Sequence, residues 1–111
     1  MYWNIKEVDA AELARWLEQE GHVQVVDIRQ PQEVAAGVVP GSEIMPMHTI
    51  PLRIREIKQD KPVVLVCRSG ARSAQACMFL AQNGYDNVYN LRGGIIGWAG
   101  SGLQIALPRA V

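Results

Sequence analysis

The stretch 63–73, VVLVCRSGARS, constrains this chain more than any other. Its first four residues are apolar and three of them are β-branched, which is typical of a strand buried in a parallel sheet. Arginine, serine and glycine follow up to Ser73, and alanines, Cys77 and Leu80 then recur at helical spacing. The pattern therefore predicts that Cys67 stands where a strand ends, a short loop turns and a helix begins.

A short loop that enters a helix has chemical consequences for Cys67. Its backbone N–H groups point into one concavity, and the helix dipole adds partial positive charge. Arg68 and Arg72 bring two full charges, and Gly70 permits the positive φ that such loops often need. We expect the Cys67 thiol to ionise easily, since thiols in such settings have pKa values of roughly 3.5–7.5 against about 8.5 when free. The same loop is expected to hold an oxyanion near the sulfur.

The alternative interpretation of Cys67 is a small core residue, which is the usual fate of a free cysteine. The two neighbouring arginines argue against it, because a core cysteine has no use for adjacent charges. Cys77 lies in the predicted helix among apolar neighbours. For Cys77 a core role is therefore favoured over that of a thiol that resolves an adduct on Cys67.

Length and charge narrow the class of protein. With 111 residues the chain is expected to form one domain, 1–111. Its 11 basic and 11 acidic residues cancel, so the clustered basic surface of a nucleic-acid-binding protein is not expected. The N-terminus lacks the apolar run of a signal peptide, and the longest charge-free stretch, 93–108, is too short to span a bilayer. We expect a soluble, cytoplasmic protein without nucleic-acid or membrane partners.

The chain has two cysteines, ten residues apart, which fits neither a disulfide framework nor a four-ligand zinc site. A reducing compartment suits them and leaves Cys67 free to react. His22 and His48 have no ligand partner in sequence, so solvated positions are favoured for both. No metal and no cofactor are expected.

Strands and helices are predicted to alternate, with strands near residues 5, 25, 45, 65 and 89. Asp9, followed three residues later by Glu12, marks a helix start. Further helices are predicted at 51–58, with Thr49 as its cap, and at 72–83. The alternation predicts an α/β fold with a mostly parallel sheet covered by helices on both faces.

Polar side chains stand at several predicted strand ends. Ligands of parallel sheets bind at the carboxyl ends of the strands, where Asp27, Arg29, Cys67 and Arg92 are expected. These side chains can therefore converge on one site. The tail to Val111 shows little pattern and is expected either to pack over the domain or to fray.

At these spacings the chain resembles a single-domain rhodanese, a thiosulfate sulfurtransferase-like protein. The similarity runs in order through VVDIR at 25–29, the turn at 37–41, CRSGARS at 67–73 and GGIIGW at 93–98. Each fragment is weak alone, whereas their order and spacing together are specific. The resemblance implies a three-layer rhodanese-like α/β domain, with a mostly parallel five-stranded sheet and helices on both faces.

The resemblance also implies a reaction. Cys67 would be the catalytic residue that takes the outer sulfur from a small donor such as thiosulfate and becomes a persulfide. That sulfur would pass to a thiol, cyanide or protein acceptor. The implied substrate-binding residues are Arg68, Ser69, Gly70, Ala71, Arg72 and Ser73.

Individual roles follow from the same resemblance. Arg68 and Arg72 are expected to hold the oxyanion end of the donor, and Ser73 is a candidate cap of the following helix. Asp27 and Arg29 are expected to support the active-site end of the sheet, and Trp98 to pack near the site. For Asp27, hydrogen bonding to a loop or an ion pair with a nearby arginine is favoured over acid–base chemistry.

Three positions depart from the family pattern. Val34 stands where an aromatic residue is common, Val38 replaces the usual histidine, and Ile44 replaces the common asparagine or histidine. All three lie outside the catalytic loop. They leave the fold prediction intact and weaken any inference about substrate or partner.

Three functions remain open on the sequence. The first is a sulfurtransferase enzyme, and the second is a persulfide carrier that turns over small molecules slowly. The third is a phosphatase of related fold, in which five residues separate the cysteine from the arginine. Here only four residues separate Cys67 from Arg72, so the loop is expected to be too small for a phosphate ester.

Overall fold

The computed structural model describes residues 5–108. Residues 1–4 and 109–111, which the sequence analysis included in its domain and tail, lie outside that range. The strands are β1 (Lys6–Val8), β2 (Gln24–Asp27), β3 (Glu43–Ile44), β4 (Val63–Val66) and β5 (Val88–Leu91). The α-helices are α1 (Ala10–Leu17), α2 (Pro31–Val34), α3 (Ile50–Arg53), α4 (Ala71–Gln82) and α5 (Gly94–Gly100).

The strands form one sheet in the order β1-β5-β4-β2-β3, and all its strand pairs in the described range are parallel. The predicted α/β fold is therefore confirmed. Strand β4 lies at the centre, and its alternate side chains feed two separate apolar clusters. Leu65 packs with residues of α3 and α4 on one face, and Val66 packs with residues of α1 and α5 on the other.

The start of α1 follows the sequence prediction. The Glu12 amide donates to the Asp9 carboxylate at 2.8 Å, which satisfies one of the unpaired N–H groups of the first turn. Leu13, one turn further on, is fully buried against the sheet. The cap thereby fixes where this helix begins and which face it buries.

The predicted helix at 51–58 is wrong in extent. Only Ile50–Arg53 is α-helical, and 3₁₀ turns at Met47–Thr49 and Ile54–Glu56 flank it. The segment lacks a continuous apolar stripe, because Leu52 is 91% exposed, and such a stripe is what normally holds a helix to a core. Thr49 stands at the N-cap position as expected, but its side chain makes no capping hydrogen bond, since its hydroxyl donates to the Pro46 carbonyl at 2.7 Å.

The C-terminal tail packs over the domain as far as it is described. Val38 and Ala106 exchange backbone hydrogen bonds of 2.7 and 2.9 Å in an antiparallel bridge. The indole N–H of Trp98 donates to the Gln104 carbonyl at 2.7 Å. The bridge fastens the tail to the loop that follows α2, and the indole hydrogen bond fastens it to α5. Across residues 5–108, no helix has both the length and the apolar character needed to cross a membrane.

Candidate active site

The loop between β4 and α4 surrounds the side chain of Cys67. Strand β4 ends at Val66, and Gly70 turns the chain into α4 with φ +105°, a conformation that a residue with a side chain rarely adopts. Cys67 itself is only 1% exposed and contributes to the apolar cluster beneath α4. The structure therefore gives Cys67 the burial of a core residue, together with a polar environment at its sulfur.

Hydrogen-bond donors from the loop and from the first turn of α4 converge on the Cys67 sulfur. The Gly70 amide lies 3.1 Å from Sγ, the Ser73 amide 3.4 Å and the Ser73 hydroxyl oxygen 3.2 Å. Burial raises the pKa of the Cys67 thiol, but the hydrogen bonds from Ser73, Gly70 and Ser69 outweigh it, so the net pKa is lowered. These hydrogen bonds stabilise the thiolate form of Cys67.

Ser73 does not cap α4, contrary to the expectation above. Gly70 is the residue at the N-cap position, so Ser73 lies inside the first turn of the helix. From there its fully buried side chain reaches back to Cys67 Sγ and to the Asn90 side-chain oxygen. The left-handed turn at Gly70 starts the helix early, and this frees the Ser73 hydroxyl to face the sulfur.

The two arginines of the loop have different environments. Arg72 forms a bidentate ion pair with Glu33 of α2, with nitrogen–oxygen distances of 2.8 and 3.0 Å. Hydrogen bonding from Arg72 and from the Gln30 backbone lowers the pKa of Glu33 to about 2. Arg68 is exposed, and its side chain makes no hydrogen bond or ion pair within residues 5–108. Of the two loop arginines, Arg68 is therefore the one whose charge is not paired with a described carboxylate.

Asp27 and Arg29 form a buried ion pair at the end of β2. The Arg29 guanidinium approaches the Asp27 carboxylate to 2.8 Å, and both side chains are almost wholly buried. Arg29 also donates to the Gly37 carbonyl at 2.8 Å. Both interpretations of Asp27 hold, because its carboxylate pairs with the Arg29 guanidinium and also accepts a hydrogen bond from the Arg29 backbone amide at 3.0 Å. The pair ties the loop after β2 to the sheet, and its described contacts do not include the sulfur.

The start of α5 packs against the loop between β4 and α4. The amides of Ile95 and Ile96 donate to the carbonyls of Cys67 and Arg68 at 2.9 and 3.2 Å. Gly94 makes this approach possible, because a Cβ at Gly94 would lie 2.4 Å from the Arg68 carbonyl oxygen. The GGI motif, noted above only as part of the resemblance, thus has a packing role next to the site.

Asn90 on β5 is a site residue that the sequence analysis missed. It is 2% exposed, and its amide nitrogen donates to the Gly70 carbonyl at 3.1 Å and to the Glu7 carboxylate at 3.0 Å. Its oxygen faces the Ser73 hydroxyl. A buried amide in an otherwise apolar strand is the signal that could have drawn attention to it.

The remaining candidates, Trp98 and Cys77, are buried in the two apolar clusters of the sheet. Trp98 is 3% exposed and belongs to the apolar cluster on the face of α1 and α5. Cys77 is buried in α4, and burial raises the pKa of its thiol to about 12, which suits a core residue. Both cysteines are free thiols. Among residues 5–108, no three histidine, cysteine or acidic side chains cluster as metal ligands do.

The fold and this loop agree with what comparisons with known proteins show. The model of the rhodanese-like domain family matches residues 9–101, and the chain belongs to that family. It is 51% identical over 104 residues to a protein named sulfurtransferase from Allochromatium vinosum, a match that covers 94% of this chain and 97% of the relative. It is 40% identical over 89 residues to the thiosulfate sulfurtransferase GlpE of Pseudomonas aeruginosa, covering 80% of each chain.

Solved structures support the same assignment. A rhodanese-related protein from Thermoplasma volcanium superposes with a TM-score of 0.84 at 29% identity, covering 93% of this chain and 99% of that one. A rhodanese-like domain protein from Staphylococcus aureus gives a TM-score of 0.81 at 34% identity, covering 92% and 99%. The resemblance drawn from the sequence motifs is therefore confirmed at the level of family and fold.

Proposed function

We propose that this protein is a sulfurtransferase that moves sulfane sulfur from thiosulfate, or a similar donor, to a thiol, cyanide or protein acceptor through a persulfide on Cys67. The observation that carries the proposal is the convergence of the Gly70 amide, the Ser73 amide and the Ser73 hydroxyl on Cys67 Sγ. The names of relatives, sulfurtransferase and thiosulfate sulfurtransferase GlpE, support it.

In the first half-reaction the Cys67 thiolate attacks the outer sulfur of thiosulfate. A bond forms between Sγ and that sulfur, and the sulfur–sulfur bond of thiosulfate breaks. The electron pair of the broken bond leaves with sulfite. The thiolate and the thiosulfate dianion thereby become a persulfide anion and a sulfite dianion, and total charge is conserved.

In the second half-reaction an acceptor nucleophile attacks the outer sulfur of the persulfide. Cyanide then leaves as thiocyanate, or a thiolate leaves as its own persulfide, and the Cys67 thiolate is regenerated. Both halves place negative charge on sulfur inside the same loop. Its donors already point at Sγ, so they need little rearrangement to stabilise that charge.

The loop also offers groups for the oxyanion end of the donor. The Arg68 side chain is exposed and unpaired, so we assign it the role of binding the sulfonate end of the donor first. Arg72 is engaged by Glu33, and we assign it a share in closing the loop and in the local positive charge. Ser69, Gly70 and Ala71 contribute backbone and shape at the turn into α4.

A persulfide carrier is the second candidate function. The bidentate pairing of Arg72 with Glu33 neutralises one of the two loop cations, which weakens recruitment of a small dianion from solution. A carrier that receives sulfur from another protein would not need that recruitment. It would show slow turnover with thiosulfate together with rapid transfer from a protein persulfide.

Phosphatase activity is the weakest alternative. Only four residues separate Cys67 from Arg72, and the Arg72 guanidinium is already engaged by a carboxylate. A phosphate ester would have to displace Glu33 to reach it. We expect no phosphate release from aryl phosphates under conditions in which sulfur transfer proceeds.

Steady-state formation of thiocyanate from thiosulfate and cyanide tests the proposal. Wild type and Cys77→Ala are expected to turn over, whereas Cys67→Ser is expected to be inactive with an unchanged circular dichroism spectrum. Turnover that persists in Cys67→Ser would overturn the mechanism. Wild-type turnover that is slow, alongside rapid acceptance of sulfur from a protein persulfide, would select the carrier.

A further inference from the structure

The Ser73 hydroxyl has one proton and two acceptors within reach. Its oxygen lies 3.2 Å from Cys67 Sγ and makes a short contact with the Asn90 side-chain oxygen. A hydroxyl donates only one hydrogen bond at a time. The Ser73 proton can therefore be shared with the sulfur or with Asn90, but it cannot serve both fully.

The orientation of the Asn90 amide follows from its other partners. Its nitrogen faces the Gly70 carbonyl at 3.1 Å and the Glu7 carboxylate at 3.0 Å, and both of these groups only accept hydrogen bonds. The amide oxygen must then face Ser73. Because an amide oxygen cannot donate, Asn90 competes with the Cys67 sulfur for the Ser73 proton.

We propose that Asn90 is a positioning residue that acts on Cys67 through Ser73, by accepting the hydrogen bond of the Ser73 hydroxyl whenever the Cys67 sulfur carries no negative charge. The proposal rests on the proposed function of Cys67 as sulfur acceptor. In the resting thiol, Ser73 donates to Asn90 and accepts the weak hydrogen bond of the Cys67 S–H group. In the thiolate, the Ser73 hydroxyl turns about its Cβ–Oγ bond and donates to Sγ.

The competition has a consequence for the reaction. Once Cys67 carries an added sulfur, Sγ is a neutral divalent sulfur and a poor acceptor, so the Ser73 hydroxyl again donates its hydrogen bond to Asn90. Asn90 thereby favours the thiol and the persulfide over the thiolate. A thiolate that is stabilised less is a better nucleophile, because nucleophilicity falls as the thiol pKa falls. No proton leaves Ser73 at any step.

The test must separate this effect from the charges around the sulfur. Arg68 flanks Cys67 in the loop, and Arg72 and Cys77 approach it from α4. The other charged groups at this end of the sheet are Asp27 paired with Arg29, Glu33 paired with Arg72, and Glu7 paired with Arg92. A double-mutant cycle on Ser73 and Asn90 keeps all of them constant, so their contributions cancel.

The experiment compares four proteins, all carrying Cys77→Ala so that only Cys67 is alkylated: the parent, Asn90→Leu, Ser73→Ala and the double variant. The rate of alkylation by iodoacetamide as a function of pH gives the pKa of Cys67 in each. Asn90→Leu is expected to change the thiolate-to-thiol ratio of Cys67 in both backgrounds. The factor of change is expected to be about three times larger when Ser73 is present than when Ser73 is replaced by alanine. Asn83→Leu is the matched control, since that amide donates to the Phe79 carbonyl at the far end of α4, and no change is expected.

The prediction concerns how much the effect of Asn90→Leu on the thiolate-to-thiol ratio differs between the protein with Ser73 and the protein with Ser73→Ala. Loss of the hydrogen bond from Asn90 to the Gly70 carbonyl affects the loop with or without Ser73. If Asn90 had a purely structural role, Asn90→Leu would therefore change the thiolate-to-thiol ratio by the same factor in both backgrounds. Equal changes, or a ratio that falls only when Ser73 is present, would overturn the proposal. Alkylation does not involve sulfur transfer, so this outcome is independent of whether thiosulfate is a substrate.

A second measurement needs no substitution at Asn90. In the Cys77→Ala parent, the side-chain amide resonances of Asn90 are expected to titrate with the pKa of Cys67, because ionisation removes the hydrogen bond to the amide oxygen. In Ser73→Ala the sulfur charge remains but the hydroxyl is absent, so the titration is expected to diminish strongly. An undiminished titration in Ser73→Ala would contradict the competition.

Discussion

At Cys67, burial and hydrogen bonding act on the thiol in opposite directions. Burial disfavours the charged form, and the loop amides with the Ser73 hydroxyl favour it more strongly. The sulfur is thereby kept away from bulk water and is still stabilised as an anion. This combination suits a persulfide, which is reactive and is protected by exclusion of water.

The contribution of Ser73 can be measured through the pH dependence of reactivity. Ser73→Ala removes a donor to the thiolate, so the pKa of Cys67 is expected to rise by about one unit. The inflection of the alkylation rate should then move to higher pH, with slower reaction at neutral pH. Ser101→Ala removes an exposed hydroxyl that bonds to the Gly97 carbonyl and should leave the inflection in place. An unmoved inflection in Ser73→Ala would show that the amides alone stabilise the thiolate.

At the scale of elements, the loop between β4 and α4 and the first turn of α4 are held by contacts with α5 and with α2. The α5 contacts depend on Gly94, which has φ +59° and meets the Arg68 carbonyl closely. The α2 contact is the ion pair between Glu33 and Arg72, which links α2 to the first turn of α4. Each support predicts a different response to substitution.

Gly94→Ala is expected to destabilise the fold and to disturb the loop. The new Cβ would lie 2.4 Å from the Arg68 carbonyl oxygen, and the positive φ adds strain, so we expect a loss of about 2 kcal/mol or more in the free energy of unfolding. Gly100→Ala is the matched control in the same helix, because a Cβ at Gly100 meets nothing within 4 Å. Denaturant unfolding compares the two variants, and equal stabilities would contradict the packing role of Gly94.

The ion pair between α2 and α4 predicts a pH-dependent stability difference. The folded pKa of Glu33 is about 2, below its ordinary value of 4.5. A lowered pKa means that the stabilisation is fully present above the unfolded value and is lost as the pH falls through the folded one. Both side chains are partly exposed, so Glu33→Gln is expected to cost about 1 kcal/mol at pH 7 and less at pH 3.

Denaturant unfolding at several pH values measures that difference. Glu56→Gln is the control, because it removes an exposed ion pair within one short segment, and a smaller effect is expected. A stability difference between wild type and Glu33→Gln that grows as the pH falls from 7 to 3 would contradict the role of the pair.

The strongest sequence patterns predicted the elements that build the site. The apolar run of β4 and the small-residue helix after it are local signals, and both form as expected. The partners of the loop were not predictable in this way. Glu33 lies 39 residues before Arg72 and Asn90 lies 17 residues after Ser73, so only the folded sheet brings them together. The prediction of a helix at 51–58 failed for the opposite reason, because its local signal is not supported by a continuous buried stripe: Ile57 is buried, whereas Leu52 is exposed.

At the scale of the whole molecule, parallel pairing places the carboxyl ends of all the strands at one edge of the sheet. The alternation of strands and helices was enough to predict this arrangement, and the rhodanese-like motifs fixed the family. The attachment of the tail was left open by the sequence. The bridge between Val38 and Ala106 joins segments far apart in the chain that carry no pairing signal of their own.

The central claim is that Cys67 accepts sulfur, and intact-mass spectrometry after incubation with thiosulfate tests it most directly. Wild type and Cys77→Ala are expected to gain the mass of one sulfur atom, about 32 Da, that a persulfide adds. Subsequent cyanide should remove that mass as thiocyanate. Cys67→Ser is expected to gain nothing. Sulfur that is still added to Cys67→Ser, or is lost when Cys77 alone is replaced, would contradict the claim.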